Sequence, residues 1–252
     1  MSSLKAKTLA RLREQMWRLE KPGIADRPVL EFGDPVLDDE LPGGGLASGC
    51  LHEITAAPED GAAYGLAAWL IGRLMHPGNG VALWCRQQRR QAMPSGPGLY
   101  GPGLYGPGPY GPGLAGFGIA TERLLFARTL SPVDMLWAME EGLRSGRFAV
   151  VLGEGTADLT ATRRLQLAAE AGGTTAVLLS FPGRTSRPRL SAATTRWRVT
   201  SLPAERPGSS CWQIELERCR GGRCRAWALA WNHETLRLDI APLLGDRALA
   251  AL

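Results

Sequence analysis

LPGGGLASGCLHEITAAPEDGAAYGLAAWLIGRL, residues 41–74, is the stretch whose reading decides the fold. Within it Cys50-Leu51-His52-Glu53-Ile54 is a short apolar run bounded by glycine, and it reads as a strand. His52 sits inside that run and reads as structural. Gly61 to Met75 reads as a helix, and VALWC, residues 81–85, as a second strand. The alternation continues outward. Leu124 to Ala127 is a strand. Ser131-Pro132-Val133-Asp134 then opens a helix, with serine as the cap, proline at the first helical position and an acid three residues on. That helix runs to Arg144 and stops at Gly146. FAVVL, 148–152, is a wholly apolar strand, 159–171 is a helix ended by Gly172-Gly173, and Ala176 to Leu179 is another buried strand. Strands apolar on both faces, separated by helices, predict a mainly parallel sheet covered on both sides.

Beyond residue 190 the pattern changes. Thr195–Thr200, Trp212–Arg218, Ala226–Trp231 and Leu236–Ile240 read as strands joined by short turns. Trp212, Ile214 and Leu216 alternate with polar residues, as a half-buried antiparallel strand requires. At the other end, residues 4–20 read as an amphipathic helix whose Leu9, Leu12, Met16 and Leu19 share a face, stopped by Pro22-Gly23. Those four residues are candidates for partner binding. The expected organisation is an N-terminal helix and linker over 1–40 and an α/β core over 41–252. The core carries a low-complexity insertion at 96–115 and a C-terminal β extension. The insertion repeats GPGLY with variants GPGPY and GPGLA; a Gly-Pro pair every five residues forbids helix and breaks strand ladders, so an exposed loop is expected.

With 44% apolar residues in 252, the chain suits one large α/β domain. A net charge of +5 permits an anionic partner such as nucleic acid without demanding one. Five cysteines at irregular spacing are a poor disulfide framework, and they read as reduced thiols, with Cys219 and Cys224 facing each other across a turn. No histidines stand at ligand spacing, so no metal is expected. The first residues are too charged for a signal peptide, and no apolar run approaches the roughly 18–20 residues of a span. A soluble, cytoplasmic protein without membrane contact is expected.

Gly44-Gly45-Leu46, Gly49, a strand ending in Glu53-Ile54 and a glycine-bounded loop before a helix resemble the approach to the phosphate loop in the RecA family. WCRQQ, YGPGLAGFGI, LWAMEEGLRSG, DLTATRRLQLAAEAGG, ATTRWRV and ERCRGGR, in that order, resemble the ImuA family over about residues 40–240. The resemblance implies a RecA-like core. A working loop has the form G-x-x-x-x-G-K-[ST], in which amides cradle phosphates, lysine neutralises them and a hydroxyl holds Mg²⁺. Matched to it, the first glycine is Ala56, the second survives as Gly61, the lysine is Ala62 and the hydroxyl residue is Ala63. Loss of the lysine alone weakens triphosphate binding by roughly 10- to 150-fold, and Glu59 and Asp60 add repulsion. Arg86, Gln87 and Gln88 stand where a water-activating acid is expected, and Gly153 stands where a metal-holding acid should close FAVVL, with Glu154 one place later. A one-residue slip sends a strand side chain to the opposite face. No catalytic residue and no cofactor are expected.

Arg184, Arg187, Arg189, Arg196 and Arg198 lie where RecA-like proteins contact single-stranded DNA, and are candidates for that contact. The ImuA resemblance implies a non-catalytic adaptor in SOS translesion synthesis. Its partners would be an ImuB-like, polymerase-related protein and an error-prone C-family polymerase. Two other readings stand beside it: a nucleotide-dependent RecA-type DNA-binding ATPase, and a SulA-like cell-division inhibitor.

Overall fold

The computed structural model describes residues 27–58, 60–75, 80–87, 100–101, 108–109, 111–182, 190–203, 210–232 and 234–241. Strands β1 (Val29–Leu30) and β2 (Leu46–Ala47) pair antiparallel, with the short helix α1 (Pro35–Asp38) between them. Then follow β3 (Leu51–Thr55), α2 (Ala62–Met75) and β4 (Ala82–Gln87). Two residues each of β5 (Tyr100–Gly101) and β6 (Gly108–Pro109) pair, and α3 (Gly111–Ala115) leads to β7 (Leu124–Thr129). Helix α4 (Pro132–Arg144), β8 (Val150–Glu154), α5 (Leu159–Gly172) and β9 (Thr175–Ser180) complete the alternating part. The chain ends in β10 (Thr195–Leu202), β11 (Ser210–Cys219), β12 (Ala226–Asn232) and β13 (Arg237–Ile240).

Nine of these strands make one sheet in the order β13-β12-β11-β10-β3-β9-β8-β4-β7. From β10 through β7 every neighbour is parallel, and from β10 to β13 every neighbour is antiparallel. The molecule is therefore α/β with a mainly parallel sheet and an antiparallel C-terminal extension. Local signals account for the helix ends. Ser131 Oγ accepts from Asp134 N at 3.1 Å, with Pro132 at the first helical position. Asp158 caps α5 by accepting from Ala161 N at 2.7 Å, and Gly173 closes the helix at φ 66°.

Each sheet face carries its own apolar layer. On one face α2 packs against Ile54, Trp84, Leu179 and Trp197. Helix α2 is apolar all round because it is covered from outside as well: Phe32 stacks on Trp69 at 4.7 Å, and Leu37, Leu114 and Phe117 close over it. Residues 29–41 thus pack on the sheet's α2 face. The other face carries α4 and α5, whose Met135, Met139, Leu165 and Ala169 cover Leu51, Cys85, Val151 and Leu178. Each fully buried side chain of this size contributes about 1.5–3 kcal/mol. The extension is one-sided. Trp212, Ile214, Trp227 and Trp231 are buried on the α2 face, while Arg198, Gln213 and Glu215 are exposed on the other.

The expectation that the Gly-Pro period forbids helix fails at its last unit. Residues 111–115 form one helical turn because Pro112 falls in the first turn, where its missing N–H has no helical partner to lose. Leu114 is then buried in the main core. The five cysteines are all free, and Cys219 and Cys224 do not bridge. No helix among the described residues is long and apolar enough to cross a membrane.

Candidate functional site

The loop between β3 and α2 holds Ala56, Gly61, Ala62 and Ala63, the residues matched by sequence to a phosphate loop. In a working loop the amides at the start of the helix face a phosphate. Here Ala62 N donates to Asp60 Oδ1 at 2.9 Å. The same carboxylate reaches strand β10: Ser201 N donates to Oδ2 at 2.8 Å, and Ser201 Oγ donates to Oδ1 at 2.5 Å. An anion from the chain itself therefore sits at the helix start. Ala62 and Ala63 are buried to 2% and 0% exposure, their methyls in the main core. A lysine at 62 would have to push an ammonium through that packing. Gly61, the surviving glycine, has open space where a Cβ would stand, so no steric demand keeps it. Glu59 lies outside the described residues.

The acid at the end of β8 is Glu154, and its placement answers the question of register. In the sheet, Gly153 aligns with Cys85 and Leu178, on the face covered by α4. Glu154 aligns with Leu179, on the α2 face. A Cβ at 153 would stand 2.1 Å from Met139 Sδ, so packing under α4 leaves room only for hydrogen. Glu154 instead accepts from Trp84 Nε1 at 2.6 Å and from Tyr64 Oη at 3.3 Å. Tyr64 in turn packs on Phe181, with ring centroids 5.1 Å apart. The C-terminal end of β8 thus holds a carboxylate bound by indole and phenol. Arg86 aligns with Glu154 across β4 and β8, and Gln87 Nε2 donates to Leu130 O at 3.3 Å. Among the described residues no group of three or more His, Cys, Asp or Glu side chains is placed to hold a metal ion.

No family model matches the chain. Among curated proteins it is similar to Protein ImuA from two strains of Caulobacter vibrioides, 37% identical over 220 residues, covering 80% of this chain and 83% of each relative. The chain belongs to the ImuA family.

In this ImuA-family chain the arginine candidates divide into two groups. Arg184, Arg187 and Arg189 lie outside the described residues, as do Leu9, Leu12, Met16 and Leu19. Arg196 is largely buried, and its Nε donates to Glu53 Oε2 at 2.8 Å. Arg198 is exposed and pairs with Glu217. Trp197 between them is 1% exposed, its Nε1 donating to Thr195 Oγ1 at 2.8 Å, so its ring is core and unavailable for stacking on a base.

Two arginines that sequence reasoning missed hold the chain between Arg189 and Arg196. Arg218 donates to Ser191 O, and Arg220 Nη2 donates to Ala192 O at 3.1 Å. Arg218 lies opposite Arg196 in the β10–β11 ladder. Burial first, then the neighbouring Arg220 and Arg196 guanidiniums, pull its pKa down from the usual arginine value, against the opposing effect of Glu53. The ERCRGGR stretch that carries both residues was legible as a hairpin, but a contact to carbonyls about 27 residues away leaves no local signal. Arg164 of α5 reaches across to Glu140 of α4 at 2.6 Å. Asp158 is committed to capping α5, and Glu170 Oε1 accepts from Gln166 Nε2.

Proposed function

We propose that this chain is a non-catalytic, RecA-like adaptor in SOS, damage-induced translesion DNA synthesis. It acts with an ImuB-like, polymerase-related protein and an error-prone C-family polymerase, and it contacts single-stranded DNA through Arg184, Arg187 and Arg189. The observation that carries the non-catalytic part is Asp60. Its carboxylate occupies the start of α2 and ties that helix to Ser201, while the lysine and hydroxyl positions are buried alanines. A nucleotide phosphate arriving there meets a fixed negative charge and finds neither the cation nor the Mg²⁺ ligand it needs. The RecA-like part is supported by the sheet order, which places the loop-bearing strand β3 between β9 and β10 with the antiparallel strands beyond. Family membership supports the pathway and its partners. The N-terminal stripe and the strands β10–β13 are the proposed contact surfaces.

The test has two arms. Deleting the gene should abolish damage-induced mutation while division proceeds normally. The purified protein with single-stranded DNA should turn over no ATP above a protein-free blank. Measurable turnover would move the chain to the RecA-type ATPases. Division arrest on overexpression, with induced mutagenesis intact in the deletion, would move it to the SulA-like inhibitors.

A further inference from the structure

The two ends of the nine-stranded sheet are finished differently. At β13 the side chains turned away from the α2 face are Arg237 and Asp239, both exposed. Charges of this kind keep an edge from pairing with another chain. The other end is β7, and among the described residues nothing pairs with its outer side. This edge is regular: six consecutive residues, Leu124–Thr129, align with Ala82–Gln87 of β4 without a bulge, and none of them is proline. It is also apolar on both faces. Leu125, level with Leu83 on the α4 face, is 52% exposed. Phe126, its ring centroid 6.0 Å from that of Trp84 on the α2 face, is 39% exposed. Leu130, just beyond the strand, is 81% exposed. Arg128 is the strand's one charge.

The backbone decides what kind of group covers this edge. An edge strand presents a row of N–H and C=O groups outward, which only another extended segment can pair. A helix laid on either face would leave that row bare and would cover Leu125 or Phe126 but not both. The side chains then decide which strand. Two copies of β7 can pair antiparallel about a two-fold axis normal to the sheet, an isologous contact. Such an axis keeps each face on its own side, so at the axis one residue stands opposite its own copy. With the axis at Ala127, the copy's Arg128 stands opposite Phe126, its Thr129 opposite Leu125 and its Leu130 opposite Leu124. The charge then lies against an aromatic ring on the α2 face, twice over, and Leu130 gains an apolar neighbour. With the axis at Phe126, Arg128 would meet Leu124 and Leu130 would meet Glu122. With the axis at Arg128, that charge would meet itself.

We propose that β7 is a homodimer interface, pairing antiparallel with β7 of a second copy about a two-fold axis at Ala127. The α2 layers of the two copies then continue into each other, as do the α4 layers. The β10–β13 ends stand at the far ends of the joined sheet, pointing away from each other.

The test is disulfide trapping of the full chain with one added cysteine. Directly opposed Cα atoms of antiparallel strands are about 4.5–5.5 Å apart, within a disulfide's reach of about 4.4–6.8 Å. Ala127→Cys should therefore give a covalent dimer on mild oxidation with copper–phenanthroline, well above the background of the wild-type chain with its own five free cysteines. Leu125→Cys or Thr129→Cys alone should stay at that background, because each stands about 14 Å from its own copy. The two variants mixed should crosslink. In sedimentation velocity over a concentration series, wild type should dimerise, and Phe126→Arg should raise the dissociation constant about tenfold by setting guanidinium groups opposite each other. Adding Arg128→Phe restores the opposed ring and charge, and the dimer should return. Circular dichroism of each variant should match wild type, since both sites are exposed. A chain monomeric at every concentration, trapping at 125 or 129 alone equal to that at 127, a dimer indifferent to Phe126→Arg, or no recovery in the double variant would each overturn the proposal.

Discussion

Acidifying the protein should weaken its fold through His52, by an amount that follows from the site. The imidazole is 1% exposed, between β2 and the centre of the sheet. Its Nε2 lies 2.9 Å from Ala47 O, an acceptor only, so that nitrogen carries the proton. Nδ1 lies 2.8 Å from Thr195 Oγ1 and accepts its hydroxyl hydrogen, while the same oxygen accepts from Trp197 Nε1. The neutral ring satisfies every partner. A second proton would sit in the core without a counter-charge, and would leave the Thr195 hydroxyl hydrogen without its acceptor. Burial accordingly lowers the His52 pKa from 6.5 to about 4, against a smaller opposing effect of the Ala47 bond. Because the unfolded chain binds the proton more readily, the contribution is fully present above about pH 6.5. It is lost as pH falls toward 4, and amounts to about 3 kcal/mol in all. Urea unfolding at a series of pH values from about 7.5 to about 4, for wild type and His52→Gln, isolates the effect, since every other titrating group is common to both. Wild type should lose about 3 kcal/mol more than the variant across that window. Parallel curves for the two proteins would refute the reasoning.

Other consequences are as direct. Ala62→Lys with Ala63→Thr restores the loop's chemistry on paper, yet it should give no triphosphate binding in a fluorescent-nucleotide titration and should lower the melting temperature, because both positions are buried and Asp60 already holds the helix start. Gly153→Ala should cost about 1–3 kcal/mol in chemical denaturation through overpacking against Met139, and Met139→Ala in the same chain should recover part of it; a neutral Gly153→Ala would mean the helix shifts freely. Binding to single-stranded DNA should fall with salt, and replacing Arg184, Arg187 and Arg189 by alanine should flatten the log–log slope by about 2, at roughly 0.7 per phosphate contact. An unchanged slope would remove those three arginines from the DNA contact.

Much of this molecule was legible locally. Apolar runs such as FAVVL and TTAVLLS, the Ser131-Pro132 start of α4 and the Gly173 end of α5 each act over a few residues, so sequence alone determined the alternating elements, the parallel sheet and the antiparallel end. It also showed alanine at 62 and 63, the positions that the resemblance matches to a phosphate loop's lysine and hydroxyl, because those are identities at given positions. Tertiary structure alone decided that Glu154 and not Gly153 faces α2, since the face of a strand residue depends on where pairing starts and flips with one residue. It decided that Asp60 meets Ser201, 141 residues away, and that Arg218 and Arg220 serve the 191–192 carbonyls. It also turned the last Gly-Pro unit helical by giving Leu114 a core to enter. Capping and periodicity are short-range and are written into neighbouring residues. Strand order and the partners of a buried charge are set only when distant segments compete for the same space.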